Sequence, residues 1–64
     1  MNIKKFNIEV KNMKKYTIRI FDGKYTTIYT TEAINKNTAI AKITDYHIAL
    51  GGIVEKVTAT EIGA

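Results

Sequence analysis

No cysteine occurs in the 64 residues, and histidine occurs once. The first absence excludes disulfides and thiolate metal ligation. The second leaves too few ligands for a structural zinc site. No apolar run approaches the length of a membrane span, and the N-terminus lacks the apolar core of a signal peptide, so a cytoplasmic chain with no membrane contact is expected. There is no linker and no low-complexity stretch. No catalytic or cofactor motif rises above background, so catalytic residues, metals and cofactors are expected to be none. What remains is one small domain spanning residues 1–64. A chain of this size buries a modest share of its surface and is marginal alone. With disulfide and metal staples excluded, oligomerisation is the expected source of further buried area.

The net charge is +4, and it is unevenly placed. Residues 1–24 carry Lys4, Lys5, Lys11, Lys14, Lys15, Arg19 and Lys24 against Glu9 and Asp22, a balance of +5. Residues 25–64 carry Lys36, Lys42 and Lys56 against Glu32, Asp45, Glu55 and Glu61, a balance of −1. A basic N-terminal region fits an anionic partner, nucleic acid first. It fits equally a solvated edge strand on which Lys guards against aggregation.

Apolar residues alternate along Ile3–Val10, with Phe6, Ile8 and Val10 opposite Lys5, Asn7 and Glu9, the pattern of a half-buried strand. Tyr16–Phe21 repeats it, with Tyr16, Ile18 and Ile20 opposite Thr17, Arg19 and Phe21. Asp22-Gly23 follows, a strong signal for a two-residue hairpin loop whose central residues both take positive φ. Tyr25–Thr31 is rich in strand-forming Thr and Tyr. A two-residue loop sets Phe21 opposite Lys24, Ile20 opposite Tyr25, Ile18 opposite Thr27 and Tyr16 opposite Tyr29. One hairpin face then collects Tyr16, Ile18, Ile20, Tyr25, Thr27 and Tyr29 as core. The other collects Thr17, Arg19, Phe21, Lys24, Thr26 and Ile28.

Asn35 suits a helix N-cap. Beyond it, Ala39, Ile40, Ile43, Tyr46, His47 and Leu50 form a stripe at helical spacing, with Ile48 on the opposite side. Gly51-Gly52 ends the helix, because a left-handed residue costs little only when it is Gly. Ile53–Ile62 has strand composition, although Val54 and Val57 cannot share a strand face without a bulge. The expected fold class is α+β: a small, mostly antiparallel sheet of order β-β-β-α-β with one helix on one face.

The stretches Asn2–Lys11 (NIKKFNIEVK) and Asn12–Phe21 (NMKKYTIRIF) nearly repeat one another. Similar burial demands on neighbouring strands account for that. Alternatively, translation begins at Met13, and residues 13–64 are a complete β-β-α-β unit. The first and last strands would both seek the edge of Tyr16–Phe21. If the last strand takes it, the N-terminal strand within residues 1–12 is exchanged between protomers or dispensable, and a homo-oligomer is expected.

His47 lies on the apolar stripe and Asp45 points to another side, so the two form no dyad. Asp22 is accounted for by the turn. Glu55 and Glu61 would need a second subunit to converge on a metal, the route by which a metal-dependent nickase of supercoiled DNA could be assembled across subunits. The mixed hairpin face sets Arg19 and Lys24 beside Phe21, with Lys14 and Lys15 at the strand's start. Cations that track phosphates beside an aromatic that stacks a base suit single-stranded nucleic acid. Such contact would be largely sequence-blind and salt-sensitive. Lys14, Lys15, Arg19, Phe21 and Lys24 are therefore the candidate nucleic-acid-binding residues. In the competing reading Phe21 and Ile28 pack against another protein and the chain is a plain adaptor.

The unit YTIRIFDGKYTTIYTTEAINKNTAIAKI, with its Asp-Gly hairpin, Glu-Ala strand exit and Asn-capped Ala-Ile helix, resembles small phage and mobile-element accessory proteins, short anti-CRISPR proteins among them. The resemblance covers about Tyr16 to Val57 and is architectural, so it assigns no residue a role. It implies an anti-defence protein that acts in a host cell's cytoplasm on nucleic acid or a host nucleoprotein. A chain rich in Lys, Ile and Asn, with one Arg and no Pro, fits the AT-rich coding such elements often carry. The coactivator-type single-stranded-DNA-binding fold is also similar in pairing a small sheet with a helix. It ends in that helix, whereas this chain continues into Ile53–Ile62.

Overall fold

In a computed structural model the structure describes residues 13–63. The strand expected over Ile3–Val10, and any exchange of it, lies outside these residues. Four elements follow in order: β1 (Lys14–Phe21), β2 (Thr26–Ala33), α1 (Lys36–Ala49) and β3 (Lys56–Glu61). The three strands form one antiparallel sheet of order β2-β1-β3, and α1 packs across one side of it. The expected α+β class with one helix on a small antiparallel sheet is the fold observed. The last strand does take the edge of β1, so both sides of β1 are occupied.

β1 alternates because its two sides meet different surroundings. Tyr16, Ile18 and Ile20 are buried against the helix, while Arg19 between them is exposed. Burying an Ile side chain fully contributes about 2 kcal/mol, and both Ile18 and Ile20 are completely buried. Ala33, Ala39 and Ile43 complete the core, with Tyr29, Ile40, Val54, Val57 and Ala59 packed around it.

The hairpin differs from expectation in its register. Phe21 pairs with Thr26, Ile20 with Thr27, Ile18 with Tyr29 and Tyr16 with Thr31, two residues beyond the pairing a two-residue loop would set. Of the loop residues only Gly23 has positive φ, at 103°, so Asp22 does not adopt the conformation a type I′ turn needs. Its carboxylate Oδ1 instead accepts the backbone N–H groups of Tyr25 at 2.7 Å and Lys24 at 2.8 Å. The Asp22 N–H donates to the Tyr25 carbonyl at 3.0 Å. The loop therefore spans Asp22–Tyr25. A shift of two preserves the side each strand residue faces, but it removes Lys24 and Tyr25 from the sheet. Tyr25, expected in the core, is 65% exposed.

Both helix ends follow local chemistry. The Asn35 side chain accepts the Thr38 N–H at 2.8 Å, as an N-cap should. At the other end Gly51 takes φ 89°, its N–H donates to the Ile48 carbonyl and that of Gly52 to the His47 carbonyl, both at 2.9 Å. That bonding is a Schellman cap. Gly52 is also needed for space, because a Cβ there would overlap the His47 imidazole. Of the expected stripe, Ala39, Ile43 and His47 are buried and Ile40 is half-buried. Tyr46 and Leu50 are exposed instead.

The conflict between Val54 and Val57 is resolved without a bulge. Val54 lies in the loop ahead of β3, Val57 lies in the strand, and both reach the core.

Candidate nucleic-acid interface

The side of the sheet away from α1 is uncovered by any described element. Side chains alternate along a strand, so register defines this face. In its first row Phe21 lies between Thr26 and Lys56; in the second, Arg19 lies between Ile28 and Thr58. Thr17 lies between Thr30 and Thr60 in the third, and Lys15 stands opposite Glu32 beyond it. Lys15, Arg19 and Lys56 against Glu32 leave the face positive. Threonine dominates the remainder and offers hydroxyls that can donate or accept. Ile28 is 59% exposed on it, a large apolar surface beside the guanidinium of Arg19. A shallow depression of ≈ 170 Å³ is lined by Arg19, Phe21, Thr26, Lys56 and Thr58. Arg19 and Phe21 are two residues apart on one strand, about 7 Å along the face. A cation, an aromatic ring and a second cation thus share one concavity.

The five residues that the sequence singles out do not all meet there. Arg19 and Phe21 do; Lys15 shares the open face but lies two rows from Arg19, outside the concavity. Lys14 pairs with Ala33 and so has the helix-side parity of β1; it lines a separate depression at the strand's start with Met13, Lys15, Glu61, Ile62 and Gly63. Lys24 is in the turn, its ammonium 5.3 Å from the centre of the Tyr25 ring, a cation–π distance. Lys56, absent from the sequence-based candidates, belongs to the site. Its signal lies in the strand boundary: once β3 starts at Lys56, alternation sends Lys56 to the open face and Val57 to the core.

His47 is a structural residue here. It is 8% exposed, its Nδ1 lies 2.7 Å from the Tyr29 hydroxyl and its Nε2 lies 3.2 Å from the Ile53 carbonyl. A carbonyl only accepts, so Nε2 carries the proton and donates to it. Nδ1 then accepts from the Tyr29 hydroxyl. Tyr29 also meets His47 edge-to-face at 5.7 Å and Tyr46 at 5.8 Å. The ring thereby ties α1 to β2 and to the loop before β3. Among the described residues no three His, Cys, Asp or Glu side chains cluster as a metal site, and no helix is long and apolar enough to cross a membrane. No family model, curated protein or solved structure matches this chain.

Proposed function

We propose that the open sheet face binds nucleic acid, free or within a nucleoprotein, and that the chain is a non-catalytic binding protein. Arg19, Lys56 and Lys15 track phosphates, and Phe21 offers its ring to a base. The observation that carries this reading is the meeting of Arg19, Phe21 and Lys56 on one uncovered, positive surface. Phosphate contacts from Arg19, Lys56 and Lys15, the last beside Glu32, give affinity with little sequence preference. An anti-defence role, with a host nucleoprotein as target, is the biological setting we propose for it; its support is the architectural resemblance of Tyr16 to Val57.

Fluorescence anisotropy with labelled single- and double-stranded oligonucleotides over a salt titration tests the reading. Log affinity should fall linearly with log salt. Arg19→Ala with Lys56→Ala should reduce the steepness by about 1–2, since each phosphate contact contributes roughly 0.7–0.9 to the slope. Phe21→Ala should weaken single-strand binding by about 1–3 kcal/mol. Lys24→Ala should change little, its side chain lying outside the face. Affinity indifferent to salt, or unchanged in the double variant, refutes the proposal and favours a protein partner on Phe21 and Ile28.

A further inference from the structure

The outer edge of β2 is a separate feature from the open face. The sheet order leaves it without a strand neighbour among the described residues. Within β2, Thr26–Thr31 contains no charged residue and no Pro, the devices that usually keep an edge strand from pairing with another chain. Charge is confined to the strand's end, where Glu32 stands and the Lys42 ammonium donates to the Glu32 carbonyl at 3.3 Å. The other edge differs: β3 is two residues shorter, opens with Lys56 and closes with Glu61. Beside the β2 edge, between strand and helix, runs an apolar groove of ≈ 520 Å³ lined by Tyr29, Thr30, Lys42, Ile43, Asp45 and Tyr46. Tyr46 is 54% exposed above it. Thr26–Thr31 thus presents a stretch of edge without a charged guard, flanked by an uncovered aromatic.

We propose that this edge and groove bind a second copy of the chain, β2 against β2 across a two-fold axis. Three observations choose a second copy over another occupant. The patch is self-complementary in charge: Lys42 and Asp45 stand on the groove's rim three residues apart on the helix, and a two-fold axis reverses their order, carrying Lys42 of one copy toward Asp45 of the other. It is self-complementary in shape, because antiparallel pairing in an even register keeps both helices on one side of the joined sheet. Tyr46 and Tyr29 of each copy then cover those of the other. Finally, a domain whose largest fully buried side chains are Ile18 and Ile20 has little core of its own, and pairing adds apolar burial where it is exposed. The product is a continuous six-stranded sheet with both helices on one side and both open faces on the other. Its two β1 strands lie three strand spacings apart, about 14 Å. The inference stands independently of what the open face binds.

Sedimentation velocity of the full chain over a range of concentration reads the assembly. The expected result is a two-chain particle at high concentration, with Tyr46→Lys and Thr30→Lys each raising the midpoint of dissociation at least tenfold. Thr58→Lys, on β3, should leave it unchanged. Both Tyr46 and Thr30 are exposed in the single chain, and circular dichroism melting separates lost pairing from lost folding. A single-chain mass at every concentration overturns the proposal. So does a dimer that survives both β2-side substitutions. If Ile8→Asp abolishes the dimer while Tyr46→Lys and Thr30→Lys spare it, the occupant is the segment 1–12 and the β2-to-β2 contact is wrong.

Discussion

The two sides of the sheet are built from the same three strands and face opposite fates. On one, Tyr16, Ile18 and Ile20 are at most 3% exposed beneath α1. On the other, one residue away in sequence, Lys15 and Arg19 are exposed and Phe21 is half-buried. Strand alternation lets a central strand hold the core with one set of side chains and present chemistry with the other. The lesson is that stability and binding should be separable in this protein at single-residue resolution, which a helix-borne site with its wider buried stripe would permit less cleanly.

Substitution at adjacent positions of β1 tests that separation most severely. Ile18→Ala should cost about 3 kcal/mol, within the roughly 2–5 kcal/mol range for emptying a filled core site. Arg19→Ala should stay within about 0.5 kcal/mol, as surface changes usually do. Urea unfolding followed by circular dichroism reads both. A loss at Arg19 comparable to that at Ile18 would mean that the open face is part of the fold, and the site assigned to it would have to be abandoned.

The amino-acid sequence makes the covered face largely legible and the open face only partly so. Alternation in Tyr16–Phe21, the Asn35 cap and the Gly51-Gly52 stop are local signals whose physics needs no knowledge of the rest. The turn misleads because Asp-Gly admits two chemistries: a mirror-image two-residue turn, or a longer loop in which the Asp carboxylate takes up backbone N–H groups. The second wins, and Lys24 leaves the sheet with it. Lys14 is excluded by parity alone, since Lys14 and Lys15 are adjacent in a strand and cannot share a face. Lys56 stays hidden as long as the strand is taken to begin at Ile53, a start that makes Val54 and Val57 look incompatible.

A smaller effect examines the covered side where it is polar. Tyr29→Phe keeps the ring against Tyr46 and His47 but removes the hydroxyl that bonds Nδ1 at 2.7 Å. His47 is then left with a buried, unpaired acceptor, a cost of about 1–2 kcal/mol. Denaturant unfolding should show that loss, and Tyr25→Phe in the exposed loop should show none. Equal stability of Tyr29→Phe and the parent would mean that water or another rotamer satisfies the imidazole, so that the tie between helix and sheet is packing alone.

The smallest expected effect belongs to the turn that joins the two strands. Backbone N–H bonds from Tyr25 and then Lys24 hold the Asp22 carboxyl below its ordinary value of 3.8. A carboxylate favoured in the folded state adds stability that is present in full above the unfolded pKa. That addition is lost as pH falls below 3.8 through the lower folded value. Asn at the same position can accept the same two bonds without titrating, so Asp22→Asn isolates the charge. Parent and variant should differ in unfolding midpoint near neutral pH, by a small margin because the group is exposed and solvent screens it. The difference should shrink as the pH is lowered past 3.8. A difference that stays constant into acid would show that the loop is held by hydrogen-bond geometry alone, with the carboxylate charge contributing nothing to the four-residue turn that moves Lys24 off the sheet.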